Sequence, residues 1–144
     1  MNKKIIKKAK EYALHLLEYT GRKPLYIICK DSCSEVSRLL AVWFRNEMPR
    51  AKIYIAKGKI RSRAHDLIII NDAEGVSIID PTIWQFFKHK RSIFVGKTET
   101  VGEALHKLAA IYGGKWKIYE RITKYSKKEL FKIKRTIADN INQL

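Results

Sequence analysis

The chain has 144 residues, 46% of them hydrophobic, with 30 Lys and Arg against 14 Asp and Glu and a formal charge of +16. That length suits one domain, 1–144, around one modest core; no apolar run reaches the roughly 18 residues of a membrane span, the start lacks the apolar stretch and cleavage site of a signal peptide, and two cysteines are too few for a disulfide scaffold. The charge attracts polyanions and acidic protein surfaces alike, but no zinc-finger spacing, aromatic RNA-binding signature or clear helix-turn-helix accompanies it, so nucleic-acid binding is a secondary expectation.

In KKIIKKAKEYALHLLEY, 3–19, Ile5, Ile6, Ala9, Ala13, Leu16 and Leu17 recur near helical spacing with lysines opposite. This predicts an amphipathic helix that ends near Gly21 and Pro24. PLYIICK, 24–30, reads as a short buried strand leading into DSCSEVSRLL. There Ser32 and Glu35 stand at capping-box spacing, and a second helix runs to about Glu47, before Pro49. Its stripe is Cys33, Val36, Leu40 and Trp43 or Phe44.

AKIYIAKG (51–58), DLIIIND (66–72) and GVSIID (75–80) are rich in Ile, Val and Tyr and bounded by turn residues, as strands are. The gap DAEG makes the last two an antiparallel hairpin. SIFVG (92–96) is a further strand, and TETVGEALHKLAAIYGG (98–114) a helix capped by Thr98 or Thr100 and ended by two glycines. KWKIYERI (115–122) and SKKELFKIKRTIADNINQ (126–143) complete the chain as a strand and a lysine-rich helix. The fold class is α+β, helices flanking an antiparallel sheet.

Cys33 at a helix start would sit at the positive end of the helix dipole, where a thiolate is stabilised. By itself it equally suits a compact core position. A bridge to Cys29 would close a very tight loop, and the histidines at 15, 65, 89 and 106 do not complete a finger-like zinc set. No metal or cofactor is expected. His65 heads the most apolar strand and Asp80 closes the next, before Pro81. A hairpin turning at 72–75 makes paired residue numbers sum to about 146, which sets residue 65 opposite 80 or 81 and a carboxylate within reach of an imidazole.

The order Cys33, His65, Asp80, together with HDLIII and IIDPTIWQF (78–86), resembles the papain-like and transglutaminase-like superfamily of Cys-His-Asp enzymes, bacterial papain-fold toxin domains in particular. The likeness covers roughly 25–96. It implies a papain-like α+β fold in which the nucleophile opens a helix packed on a small antiparallel sheet. Cys33 would be the nucleophile, His65 the base and then acid, and Asp80 the orienter of His65. Ser32, Trp84 and Gln85 are candidates for the oxyanion site or substrate cleft, with Trp84 expected near His65 and Gln85 structural or at the cleft edge. Such enzymes often carry an oxyanion-binding Gln or Asn upstream of the cysteine, and Cys29, Lys30, Asp31 and Ser32 offer none.

The resemblance implies a cysteine peptidase acting as an antibacterial toxin on a target bacterial protein, with a glutamine deamidase or transglutaminase as the alternative. It further implies delivery by secretion or contact into the cytoplasm of a target cell, a cognate immunity protein, and no membrane partner. A basic nucleic-acid-binding protein with a structural cysteine is the alternative from a different class.

Overall fold

The computed structural model describes residues 1–17, 33–124 and, further on, Lys127, Lys128, Phe131, Lys132 and Arg135. Helix α1 spans Lys3–Leu17 and α2 spans Cys33–Glu47. Strands β1 (Lys52–Ile60), β2 (Arg63–Asp72), β3 (Gly75–Ile79) and β4 (Phe94–Thr98) follow, then helix α3 (Val101–Tyr112) and strand β5 (Lys117–Arg121). The described strands form one antiparallel sheet in the order β4-β3-β2-β1-β5. The expected α+β class is therefore correct. None of the described helices is long and apolar enough to cross a membrane.

Helices cover both faces of the sheet. Residues Ile53, Ile55, Ile68, Ile70 and Ile79 point into one cluster with Val36, Leu40 and Phe44 of α2 and, behind them, Ala9, Ala13 and Leu17 of α1. Ala56, Ile60, Leu67, Ile69, Val76 and Ile78 point the other way, against Ala104 and Leu108 of α3 and Trp116. This explains why the middle of β2 is apolar without alternation: Leu67, Ile68, Ile69 and Ile70 are each fully buried, on alternate faces. Each such side chain contributes about 1.5–3 kcal/mol relative to exposure.

Two turns set the strand pairing. At the β2–β3 turn, Asp72 Oδ1 accepts the Glu74 N–H at 2.8 Å and Gly75 takes a φ of 126°, open to glycine. The resulting register pairs Ile68 with Ile79 and Ile69 with Ile78. Its paired residue numbers sum to 147 instead of about 146, a difference of one residue, which sets Asp80 level with Leu67 and places residue 80 two positions along from His65. The other turn was not expected at all. Arg61 and Ser62 both adopt left-handed φ, 51° and 66°, and join β1 to β2 with Ile60 paired to Arg63. Such two-residue hairpin turns ordinarily announce themselves by Asn and Gly, which Arg-Ser does not. The strand expected over 66–72 therefore begins three residues earlier, and His65 lies within it.

Elsewhere the differences are at element ends. Thr100, not Thr98, caps α3, its Oγ1 accepting the Glu103 N–H at 3.1 Å. Glu103 Oε2 reaches back to the Glu99 N–H at 3.1 Å, which closes a variant of the capping box. The strand expected over 24–30, Cys29 and the pairing of Ser32 with Glu35 lie outside the described residues. So does most of the helix expected over 126–143, of which Lys127, Lys128, Phe131, Lys132 and Arg135 are helical.

Gly58, paired with His65 across β1 and β2, lets the Trp116 indole lie directly on the backbone; a Cβ there would overlap the ring. Gly58→Ala should cost about 1–3 kcal/mol through that overlap. Gly102→Ala, with only Thr100 Oγ1 near at 3.9 Å, should instead be neutral or stabilising by up to about 1 kcal/mol. Urea unfolding followed by tryptophan fluorescence checks both.

Candidate active site

Ser37, one helical turn after Cys33, donates its hydroxyl to Asp66 O at 3.0 Å in the core. Cys33 Sγ lies 4.0 Å from Ala64 O. Successive turns of α2 are thereby tied to successive same-face positions along β2, and the intervening residue, His65, is directed to the opposite face. At the end of the strand the ring reaches the space beside Cys33. Cys33 is a partly exposed free thiol, whereas His65 and Asp80 are fully buried.

Both nitrogens of the imidazole have a polar neighbour. His65 Nε2 meets Asp80 Oδ2 at 2.7 Å. Asp80 lies on the same sheet face as His65, because the observed register sets it level with Leu67, two residues along, and its carboxylate reaches the ring diagonally. The other carboxylate oxygen, Oδ1, accepts the Thr82 N–H at 3.2 Å, and the Asp80 N–H donates to Ile93 O at 2.8 Å. At the other nitrogen, Nδ1, the Gln85 carboxamide approaches to 3.2 Å through Nε2, which also lies 3.2 Å from Thr82 Oγ1. The Cys33 side chain interacts with the same ring.

Burial alone would lower the His65 pKa. The charge and hydrogen bond of Asp80, joined by Cys33, outweigh it and push the value up to about 10. The ring is therefore an imidazolium at neutral pH. Burial and the nearby Asp80 charge also push the Tyr112 phenol up.

Aromatic rings enclose the pair. Phe86 meets His65 edge-on at 5.2 Å between centroids and Trp116 does so at 6.4 Å. Arg61 lies over the Phe87 ring and Arg63 over Phe86, at 5.5 and 5.9 Å, so cationic groups rim the aromatic wall.

Of the residues singled out in the sequence, Cys33, His65, Asp80 and Gln85 come together. Trp84 does not. A 3-10 turn over Ile83–Gln85 rotates it into the core cluster under α2, where its Nε1 donates to Lys90 O at 2.8 Å, and Phe86 and Trp116 take the place expected for it. Ser32 lies outside the described residues. Two participants were missed. Thr82, fully buried, links Asp80 to Gln85, and its signal was a hydroxyl directly after Asp-Pro. Ser37 was marked by being polar among the apolar residues of α2.

Compared with family models, curated proteins and solved structures, the chain matches none. The chemistry of the site is therefore read from its own geometry.

The pKa of His65 sets two outcomes. By NMR titration the ring should remain charged from pH 6 to 9, whereas in Asp80→Asn only Cys33 is left to oppose burial and the midpoint should fall below that range. Because the folded value is the higher one, the stabilisation is complete below about 6.5 and is lost as pH rises through about 10. The difference in Tm between the wild type and His65→Gln should accordingly shrink between pH 7 and 10.

Proposed function

We propose that the protein is a papain-like cysteine peptidase that cleaves a protein substrate through Cys33, His65 and Asp80. The observation that carries this reading is the buried 2.7 Å contact of His65 Nε2 with Asp80, on a ring that also interacts with the partly exposed Cys33. A structural cysteine needs no such apparatus, whereas a nucleophilic one requires a base and a group to orient it.

In the proposed reaction the Cys33 thiolate attacks the carbonyl carbon of a substrate amide, forming the C–S bond as the carbonyl electron pair moves to oxygen. Collapse breaks the C–N bond, and His65 Nδ1–H gives its proton to the departing amine. Neutral His65 then takes a proton from water as the hydroxide attacks the thioester, which releases the acid and restores the ion pair. Asp80 keeps Nε2 throughout. Attack on a glutamine side chain by the same steps would release ammonia, making the enzyme a deamidase; an amine in place of water would make it a transglutaminase.

The triad order and the IIDPTIWQF segment further support assignment to the antibacterial papain-fold toxins, delivered by secretion or contact and restrained by a cognate immunity protein. A net charge of +16 suits an acidic inhibitor.

Expression of wild type and Cys33→Ala in a bacterium, followed by whole-proteome mass spectrometry, tests this reading. New protein termini that require Cys33 are expected; glutamine-to-glutamate mass shifts would reassign the enzyme as a deamidase. Iodoacetamide should label Cys33 faster than Cys29. Equal labelling with an unchanged proteome would overturn the enzyme, and salt-dependent nucleic-acid binding indifferent to Cys33→Ala would replace it with the basic binding protein.

A further inference from the structure

Acyl transfer through Cys33 creates a negative oxygen on the former carbonyl, and catalysis depends on N–H donors already aimed at it. The four residues before Cys33 offer no carboxamide for this purpose. The chain does carry one at the site, supplied from the opposite direction in sequence. Gln85 Nε2 stands 3.2 Å from Nδ1 of His65, the ring with which Cys33 interacts.

The contact has a consequence once the ring is charged. A charged imidazole carries a proton on Nδ1 and has no lone pair to offer there. A carboxamide N–H pointing at it then has no acceptor. Thr82 Oγ1, at 3.2 Å, satisfies one N–H of Gln85 Nε2. The second, 3.2 Å from a protonated Nδ1, finds no acceptor there and is available to a substrate carbonyl that approaches Sγ. An unsatisfied amide donor there costs free energy in the resting enzyme, and the cost disappears when an oxyanion forms.

The turn after β3 holds this donor in place. Thr82 gives its backbone N–H to Asp80 Oδ1 and accepts a Gln85 Nε2–H on its hydroxyl oxygen, while the Gln85 backbone N–H donates to Thr82 O at 3.1 Å. A single buried threonine thus orients the groups on both nitrogens of the ring.

We propose that Gln85 is the side-chain donor of the oxyanion hole, delivered by the turn that follows Asp80 instead of by the segment that precedes Cys33. This rests on the cysteine-enzyme reading. Gln85 acts on the tetrahedral intermediate, so it should matter for acylation and not for reactions of the thiolate that generate no oxyanion.

Two reagents separate those cases in the full-length protein. With p-nitrophenyl acetate, Cys33 attacks the ester carbonyl, an oxyanion forms, and its collapse expels p-nitrophenolate. With iodoacetamide, the same sulfur displaces iodide at a saturated carbon and no oxyanion appears. Gln85→Ala should slow the p-nitrophenolate burst about 100-fold or more while changing the iodoacetamide rate, followed across pH, by less than about 3-fold, well under the tenfold that one pKa unit's worth of free energy represents. Gln85→Glu should be at least as slow in the burst, because a carboxylate repels the oxyanion.

The opposite results are equally clear. If Gln85 serves only to accept a bond from Nδ1–H, Gln85→Glu will preserve acylation and move its pH profile, and the oxyanion role is overturned. Equal losses toward both reagents in Gln85→Ala, with an unchanged unfolding midpoint, would make Gln85 a positioning residue for His65 and also overturn it. A burst that survives Cys33→Ala would remove the nucleophile itself, and with it this role; loss of that burst in Cys33→Ala with normal acylation by Gln85→Ala rejects the Gln85 assignment alone.

Discussion

The contact between His65 Nε2 and Asp80 Oδ2, 2.7 Å long and sealed from solvent, is the constraint around which the molecule is arranged. Burying two ionisable groups is expensive, and even a well-made buried pair seldom improves on apolar packing. The protein meets that cost with the sheet beside it, where β2 is buried on both faces. The remaining Asp80 oxygen is occupied by the Thr82 N–H, so the carboxylate is fully partnered. What the pair provides is chemical: a ring held in one orientation and kept charged despite its burial.

The two faces of the sheet carry different groups. His65, Gly58 and Trp116 share one face, while α2 packs on the other and brings Cys33 to the end of β2. The Ser37 bond to Asp66 O anchors α2 one turn from the thiol. Small errors in that anchor would move Sγ relative to the His65 ring. The aromatic wall of Phe86 and Trp116 limits water around the ring, which strengthens each charge interaction inside.

Much of this was legible beforehand because it depends on short-range pattern. The DAEG turn and the apolar strands on either side were enough to bring residue 65 near residue 80, although the register was one residue off. The error was harmless for a physical reason: a side chain as long as aspartate, on the same face and two residues along, still reaches an imidazole. The Arg61-Ser62 turn was not legible, since both residues adopt left-handed φ that their chemistry does not advertise. Trp84 was misplaced because a 3-10 turn rotates side chains by about 120° per residue, and nothing in IIDPTIWQF distinguishes that turn from an extended continuation.

From the sequence alone came the alternation of apolar and polar residues, the turn at Asp72, the helix that Cys33 opens, and hence the α+β class and the expectation that Cys33, His65 and Asp80 lie near one another. These follow from interactions between near neighbours, which any reader of the chain can count. The use of each nitrogen of His65 was decided only by tertiary structure, and so was the convergence of Thr82 and Gln85 on the ring. Those outcomes depend on where a buried turn directs its side chains after the sheet and both helical layers have closed around it. No local pattern carries that information, because the packing that selects the direction comes from residues distant in the chain.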